Sequence, residues 1–525
     1  MARVNLRPGQ VMPLSRTTHH LPDPVALFEV CSTNTRDQVL LESADASTKN
    51  GLHTIIMTHA AVRAECRGGC VEFTALTPNG RDALDHVLSE LAHCAEVARD
   101  GDRAAVYFTR PLELASETAR RAAPSPMDAL RAMGMRWEPT TSPHPMAQII
   151  PGVFSYDFID FYEPLPELEH AEDDFPDFVF WLPEGLLLLD HQHRRTTAIA
   201  HVYGGEHAAT SYHDAMTRLG ELVSRSHEAP REAAPPVTSA IDVDHEVDID
   251  DEAYARQVRQ MKEHIVDGEL FQVVLSRTFS APCEDALGTY KRLRAHNPSP
   301  YMFYVKTSNF TLFGASPETA LKVSGAPKRV EIRPIAGTRL RGLSHDGALD
   351  HDLDARQEAA LRTDTKEIAE HMMLVDLARN DVARVSAPGT RRVDRLLSVE
   401  RYAHVMHLVS YVSGELAPEL DALHAYVASM NMGTLTGAPK VRAAQLLRQA
   451  EGTRRGPYGG AIGYLTHTGD FDSAIIIRSA LVQRGKAHIR AGAGIVHDSN
   501  PSAEAEETRK KARAVLRALA TGGAP

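Results

Sequence analysis

The sequence predicts an α+β protein built on large antiparallel sheets, and three observations carry that class. Segments rich in β-branched and aromatic residues are punctuated by glycine and polar turns, as in DFVFWLPEGLLLLDHQHRRTTAIAHVYG, which reads as a pair of strands joined in a hairpin. Stretches with helical periodicity fall between them irregularly, without the regular strand–helix alternation of a parallel sheet. With 525 residues, 43% of them hydrophobic, the chain can bury a sizeable core.

Taken in order, residues 1–20 read as polar and irregular, and VALFEVC as a helix. TIIMTHAAVRAEC, VEFTALT and AAVYFTR read as strands, with RDALDHVLSELAHCAEV as an amphipathic helix before the last of them. QIIPGVFSYDFIDFYE combines aromatic and β-branched residues, and the hairpin follows. Residues 227–240, HEAPREAAPPVTSA, turn to proline, alanine and charge without periodicity. They read as a linker that divides an amino-terminal part, residues 1–240, from a carboxyl-terminal part, residues 241–525. The second part opens with the helix DEAYARQVRQMKEHIVDGE, stopped near Gly268, and the strand LFQVVLSRTFSAP. Further strands follow in YMFYVKT, FTLFGAS and VEIRPIAGTRLRG. DALHAYVASMNMGTLTGAPKVRAAQLLRQAEG reads as two helices around a glycine-rich loop, AIIIRSALV as a strand, and a last helix runs from about Ser502 to Leu519.

A net charge of -12 with a pI near 6.1 argues against nucleic-acid and membrane-surface roles, both of which need a basic face. Five scattered cysteines and the lack of an amino-terminal apolar leader point to a reducing cytoplasm and free thiols. Cys66 and Cys70, in CRGGC, lack the second Cys or His pair of a metal knuckle. No apolar run approaches the length of a membrane span.

Chemistry concentrates in residues 364–385, DTKEIAEHMMLVDLARNDVARV. Glu367 and Glu370 lie three apart on one helical face, among apolar residues on so many sides that the helix reads as surrounded by protein. In the last helix Glu504, Glu507 and Lys511 share a face. Each group has a structural reading, as a solvated first turn or a salt-bridged surface helix. Converging, the two pairs make an all-oxygen site of the kind Mg2+ prefers. Residues 433–440, GTLTGAPK, miss the phosphate-loop spacing and lack the Ser or Thr after the lysine. The glycines of GAG at 492–494 fit close backbone approach better than a dinucleotide turn, because HDSNPS follows where a helix should begin. Arg478 would share a strand face with Ile476, Ala480 and Val482, and a guanidinium there requires an anion. His407, amid VMHLVS, reads either as a satisfied core histidine or as an acid–base group.

In one order, PIAGTRLRG, TDTKEIAEHMMLVDLARND, YAHVMHLVS, MNMGTLTGAPK, GPYGGAIGY, AIIIRSALV and AGAGIVHDSNPSAEAEETRKKA resemble the chorismate-utilising enzymes, and among them the anthranilate-forming large subunits. The likeness is strong from about residue 245 onward and extends weakly to LLES, FSYD and DHQ. It implies antiparallel sheets packed as a sandwich with helices outside. It also implies chorismate as substrate, ammonia as nucleophile, Mg2+ as cofactor, and anthranilate with pyruvate as products. Carried over, Glu370 and Glu507 hold the metal with Glu367 and Glu504 nearby. Tyr458, Arg478, Gly492, Ala493 and Gly494 hold the enolpyruvyl carboxylate, while Gly337 and Thr338 line the site. Thr434 places the ring, His407 moves protons and Lys511 neutralises the carboxylates.

Relatives that make aminodeoxychorismate have lysine in PIKGT, where this chain has Ala336. Isochorismate synthases have a lysine where this chain has Gln272. An aminodeoxyisochorismate synthase, which stops before pyruvate loss, is the nearest alternative. Ser43 in LLES, with Pro300, Tyr301 and Met302, resembles a tryptophan feedback pocket. No nucleophile-elbow cysteine of a glutamine amidotransferase is visible, so ammonia is expected from a separate glutaminase subunit (component II) in a hetero-oligomer.

Overall fold

The computed structural model describes residues 5–21, 23–32, 36–42, 53–113, 116–141, 144–168, 174–230, 243–344, 348–402 and 405–520. Two long strands, His53–Arg67 and Phe178–Asp190, pair along their length and bend at register slips between Met57 and Val62. Their two halves enter different sheets. One sheet runs Gln10–His19, Arg195–Tyr203, Phe178–Asp190, His53–Arg67, Gln38–Glu42, Tyr301–Lys306, Thr311–Ser316, Ser479–Gln483, Lys486–Ile495, Gln272–Pro282. The other runs Glu96–Asp100, Arg103–Tyr107, Cys70–Ala75, then through the far ends of the long strands to Ile149–Phe154. It continues through Ala461–Thr466, Phe471–Ile475, Thr319–Ser324, Arg329–Ile332, Val405–Glu415 and Arg392–Arg401.

Strand alternation explains how the sheets stack. In Tyr301–Lys306, Phe303 and Val305 enter the core between the sheets, together with Ile55, Val153 and Ile462, whereas Met302 and Tyr304 face the helix layer. Pro24–Cys31, Ala208–Glu228, Ala286–His296 and Pro501–Leu519 cover one outer face. Pro78–Leu91, Pro126–Met135, Thr365–Ala383 and Ala422–Ser429 cover the other. Burial on both faces is why the strands read as nearly continuous apolar runs. The expected sandwich with helices outside is the observed one.

Two expectations change. Residues 10–19 form a strand, because their backbone pairs from Val11 to His19 with Arg195–Tyr203 although their outer half is exposed. The boundary at residue 240 does not separate two cores: Gln38–Glu42 pairs with Tyr301–Lys306, and Ile149–Phe154 with Ala461–Thr466. Most of the linker, residues 231–242, lies outside the described residues. All five cysteines are free, and no helix among the described residues is long and apolar enough to cross a membrane.

Candidate active site

The helix Thr365–Ala383 starts at Asp364, whose carboxylate accepts from the N–H groups of Lys366 and Glu367. It is not surrounded by protein. One stripe, including His371, Leu374, Val375, Ala378 and Val382, is buried, while Met372 is 39% exposed and Ala369 is exposed. The other apolar residues lie off that stripe, which a count of apolar residues does not reveal. His371 fixes the neighbouring strand Ile335–Leu340, with Nδ1 3.0 Å from the Ala336 carbonyl and Nε2 2.7 Å from Ser410 Oγ. Gly337 follows with φ +91°, a conformation that a side chain would strain. Lys440 is committed elsewhere: half-buried, it donates to Asp381 at 2.7 Å and to the Ser429 carbonyl at 2.6 Å, tying this helix to the glycine-rich loop.

Glu370 is half-buried at the edge of that stripe. Burial, then Glu367 and Glu507, push its carboxyl above the usual range. Glu367 is already partnered, since Arg339 reaches it at 2.8 Å and Asp364 at 2.6 Å. From the final helix Glu507 pairs with Lys511 at 2.8 Å, and Lys511 also donates to the Gly492 carbonyl at 2.9 Å. Glu504 is buried, with its carboxyl likewise raised chiefly by burial. That helix is held in place by Arg277, fully buried, which donates to Thr508 Oγ1 and the Ala505 carbonyl. Among the described residues no three His, Cys, Asp or Glu side chains group as a metal cage. Glu370 and Glu507, which repel one another, could hold a divalent cation only with further oxygens from ligand and water.

The cationic side faces them. Arg478 is not within a strand. It occupies the bend between Phe471–Ile475 and Ser479–Gln483 with φ +51°. Its guanidinium feels Tyr458 and Glu507, and among the described residues it forms no ion pair or side-chain hydrogen bond. An arginine in that condition is suited to a ligand carboxylate. Beside it, a Cβ on Gly492 would lie 3.0 Å from the Tyr458 hydroxyl, and one on Gly494 would lie 2.7 Å from Gln272 Nε2 and 3.7 Å from Glu370 Oε1. Glycine here brings strand backbone up to polar side chains. The floor is rigid: Arg455 donates to Glu451 and to the Leu435 and Val274 carbonyls, while Glu451 also binds Ser276 and Arg490. Arg455 and Arg490 outweigh burial and hold Glu451 down at about 2.

His407 lies across the ladder from Thr338, whose hydroxyl is 2.8 Å from Nδ1. Burial and then Arg478 lower its pKa to about 4, so the imidazole is neutral at pH 7. Glu318 was not expected from the sequence. It is buried, and desolvation raises its carboxyl to about 8 against the opposing effects of Thr434, the Ile335 N–H and Lys511. The buried Thr434 hydroxyl and Gln272 Oε1 lack partners within ordinary hydrogen-bond geometry. Arg478 acts on His407, and Lys511, which pairs with Glu507, also acts on Glu318.

The model for chorismate binding enzymes matches residues 92–517. The chain belongs to the chorismate binding enzyme family. It is 46% identical over 513 residues to anthranilate synthase component 1 of Vibrio parahaemolyticus, spanning 97% of this chain and 93% of that protein. The crystal structure of anthranilate synthase component I from Streptococcus pneumoniae matches with a TM-score of 0.65 at 27% identity, covering 88% of this chain and 92% of that one. A menaquinone-specific isochorismate synthase from Escherichia coli shares the fold alone, with a TM-score of 0.66, 18% identity, and coverage of 98% and 96%.

In this chorismate binding enzyme, Pro300, Tyr301 and Met302 lie apart from the carboxylates, in a cavity of about 1000 Å3. Leu41, Glu42, Pro317, Thr319, Tyr464 and Asp472 also line it. Ser43 lies outside the described residues.

Proposed function

We propose that the chain is an anthranilate synthase large subunit, converting chorismate and ammonia to anthranilate, pyruvate and water. The observation that carries this reading is the unpaired Arg478 facing the Glu370–Glu507 carboxylates across Gly492–Gly494. A dicarboxylate needs one cationic anchor at each end, and the carboxylate end gains one when Mg2+ binds Glu370 and Glu507. When bound, the ion would supply positive charge to the ring carboxylate. Arg478, Tyr458 and the backbone of residues 492–494 hold the enolpyruvyl carboxylate at the other end. Glu318, protonated at pH 7, gives its proton to the departing ring hydroxyl as ammonia adds to the ring. Ala336 and Gln272 leave that addition to ammonia, with no lysine to attack in its place or to activate water. His407, neutral, then takes the ring proton while the enolpyruvyl C–O bond breaks, leaving the aromatic amine, and the departing enolate takes that proton back at its methylene carbon to become pyruvate. Thr338 orients the imidazole, and Lys511 balances Glu507.

Tryptophan in the cavity of Pro300, Tyr301 and Met302 is the proposed feedback ligand, and a glutaminase subunit the proposed ammonia source. The deciding experiment incubates the purified chain with chorismate, Mg2+ and ammonium, with and without tryptophan, and identifies products by mass and fluorescence. Anthranilate and pyruvate in equal amounts are expected, and less of both with tryptophan. Accumulated aminodeoxyisochorismate would assign the earlier-stopping activity instead, and unchanged chorismate would refute the reading.

A further inference from the structure

We propose that Thr319, held by the Tyr301 hydroxyl, is a positioning residue for the Glu318 carboxyl, and that this contact places the acid under the control of whatever fills the Tyr301 cavity. The proposal rests on the function above in taking Glu318 as proton donor and the cavity as an effector site.

Glu318 and Thr319 are consecutive residues at the start of the strand Thr319–Ser324, so their side chains leave opposite faces. Glu318 is influenced by Thr434, the Ile335 N–H and Lys511, on the side of the reacting groups. Thr319, like Pro317, lines the other cavity. Tyr301 grips this turn at both ends. Its backbone lies opposite Ser316 in the ladder, and its hydroxyl is 3.0 Å from Thr319 Oγ1 and 3.2 Å from Asp472 Oδ1. Between those ends the Glu318 N–H donates to Ser316 Oγ at 3.3 Å, and its carbonyl accepts from the Ile475 N–H at 3.0 Å.

The ladder itself holds the turn loosely. Pairing with Phe471–Ile475 slips between Thr319 and Leu321, so the extra residue leaves side-chain contacts to set where the turn sits. One phenol O–H can donate once: Tyr301 donates to Asp472 and accepts from Thr319. A cavity ligand that donates to Asp472 in place of Tyr301 therefore frees the phenol proton to turn toward Thr319, and changes the bond that holds it. Thr319 is one peptide unit from Glu318, and a displacement of about 1 Å at an acid–base group can cost about a hundredfold in rate. The charged groups around the relay are Lys511 on the acid side and, on the cavity side, Asp472 with Lys322, 3.5 Å apart, and Arg333, which is paired with Glu331 and acts on the Tyr301 hydroxyl.

The test uses the full chain with Thr319→Val, which keeps the branched shape without the hydroxyl, and Thr319→Ser, which keeps the hydroxyl. Steady-state rates are measured at saturating ammonia from about pH 6 to about pH 9, and tryptophan binding by calorimetry beside inhibition. Thr319→Val should lower kcat by about ten- to a hundredfold with KM for chorismate within about threefold, and displace the alkaline limb of kcat. Because Thr319 lines the cavity, the variant's tryptophan Kd is measured alongside, and inhibition should weaken at least about tenfold more than binding does; Thr319→Ser should restore both. Tyr301→Phe removes the same contact from the other side and serves if Thr319→Val does not fold. An unchanged kcat and alkaline limb overturn the positioning half, and inhibition lost only in step with binding overturns the control half. Failure of the unsubstituted chain to bind tryptophan overturns the feedback reading together with the control half, while the kcat profile still decides the positioning half.

Discussion

Replacing Glu318 by glutamine should make this protein more stable and less active at once, with a stability gain that grows as pH rises. Burial lifts the Glu318 carboxyl from 4.5 to about 8. Between those values the unfolded chain has released the proton and the folded chain retains it. Stability therefore falls as pH rises, by about 1.4 kcal/mol per pH unit, and levels off above the folded pKa. The accumulated cost is about 2 kcal/mol at pH 6, about 3 at pH 7 and about 5 above pH 8. Glutamine keeps the shape and stays neutral, so the variant escapes that cost. For 525 residues the entropy of unfolding is about 1.1 kcal/mol per degree, so Tm should rise by about 3 °C at pH 7. The proton donor is lost as well, lowering kcat by about 10²- to 10⁴-fold. Urea unfolding of both proteins at several pH values, alongside turnover, checks each half. A stability difference that is constant across pH would show that Glu318 is ionised throughout, and the proposed proton donation would fall with it.

Glu370→Ala and Glu507→Ala should each abolish Mg2+-dependent turnover in a folded protein and weaken calorimetric Mg2+ binding at least about tenfold; unchanged binding would remove the metal from these carboxylates. Arg478→Gln should raise KM for chorismate by about ten- to a hundredfold, since a charge-assisted hydrogen bond contributes about 1.5–3 kcal/mol. If kcat falls while KM holds, Arg478 serves the transition state and not substrate binding. Lys440→Met, which strands the buried Asp381, should destabilise the fold by about 3–5 kcal/mol in urea unfolding with little change in KM; a specific rise in KM would return the lysine to ligand binding.

Local chemistry was readable where spacing carries it. The three-residue interval of Glu367 and Glu370, the shared face of Glu504, Glu507 and Lys511, and the failed phosphate-loop spacing around Lys440 are all local, and in the structure Glu507 pairs with Lys511 and Lys440 with Asp381. Residues whose role depends on distant strands were harder. Arg478 was singled out by its apolar neighbours, yet its bend arises because two strands end on either side of it, and neighbours i±2 alone cannot show that. Glu318 carried one usable signal, a lone acid between the apolar runs FTLFGAS and TALKV, but its burial is tertiary, and the groups that act on it there, Thr434, the Ile335 N–H and Lys511, come from other segments of the chain. Arg339 was missed as the partner of Glu367 because a strand and a helix meet there across 28 residues. The boundary at residue 240 was a compositional signal, and composition does not report that Gln38–Glu42 pairs with Tyr301–Lys306.

The charges explain why ligands should complete the site together. Glu367 is satisfied by Arg339 and Glu507 in part by Lys511, whereas Glu370 is repelled by both glutamates and Arg478, although it feels Glu507, forms no ion pair among the described residues. Adding a dianion alone would satisfy Arg478 and press its second carboxylate against Glu370 and Glu507. Adding Mg2+ alone would relieve Glu370 and leave Arg478 bare. The pair is electrically neutral and answers both needs, so each should strengthen binding of the other by the same factor, as linkage requires. Calorimetric titration of chorismate with and without Mg2+, and of Mg2+ with and without chorismate, measures the two factors. Equal factors well above one are expected in the unsubstituted chain. Arg478→Gln should weaken chorismate binding while largely preserving the coupling, because Arg478 grips the carboxylate remote from the metal. Coupling that vanishes with Arg478 would mean that the metal and the guanidinium share one carboxylate, and the two-ended grip on the substrate would have to be abandoned.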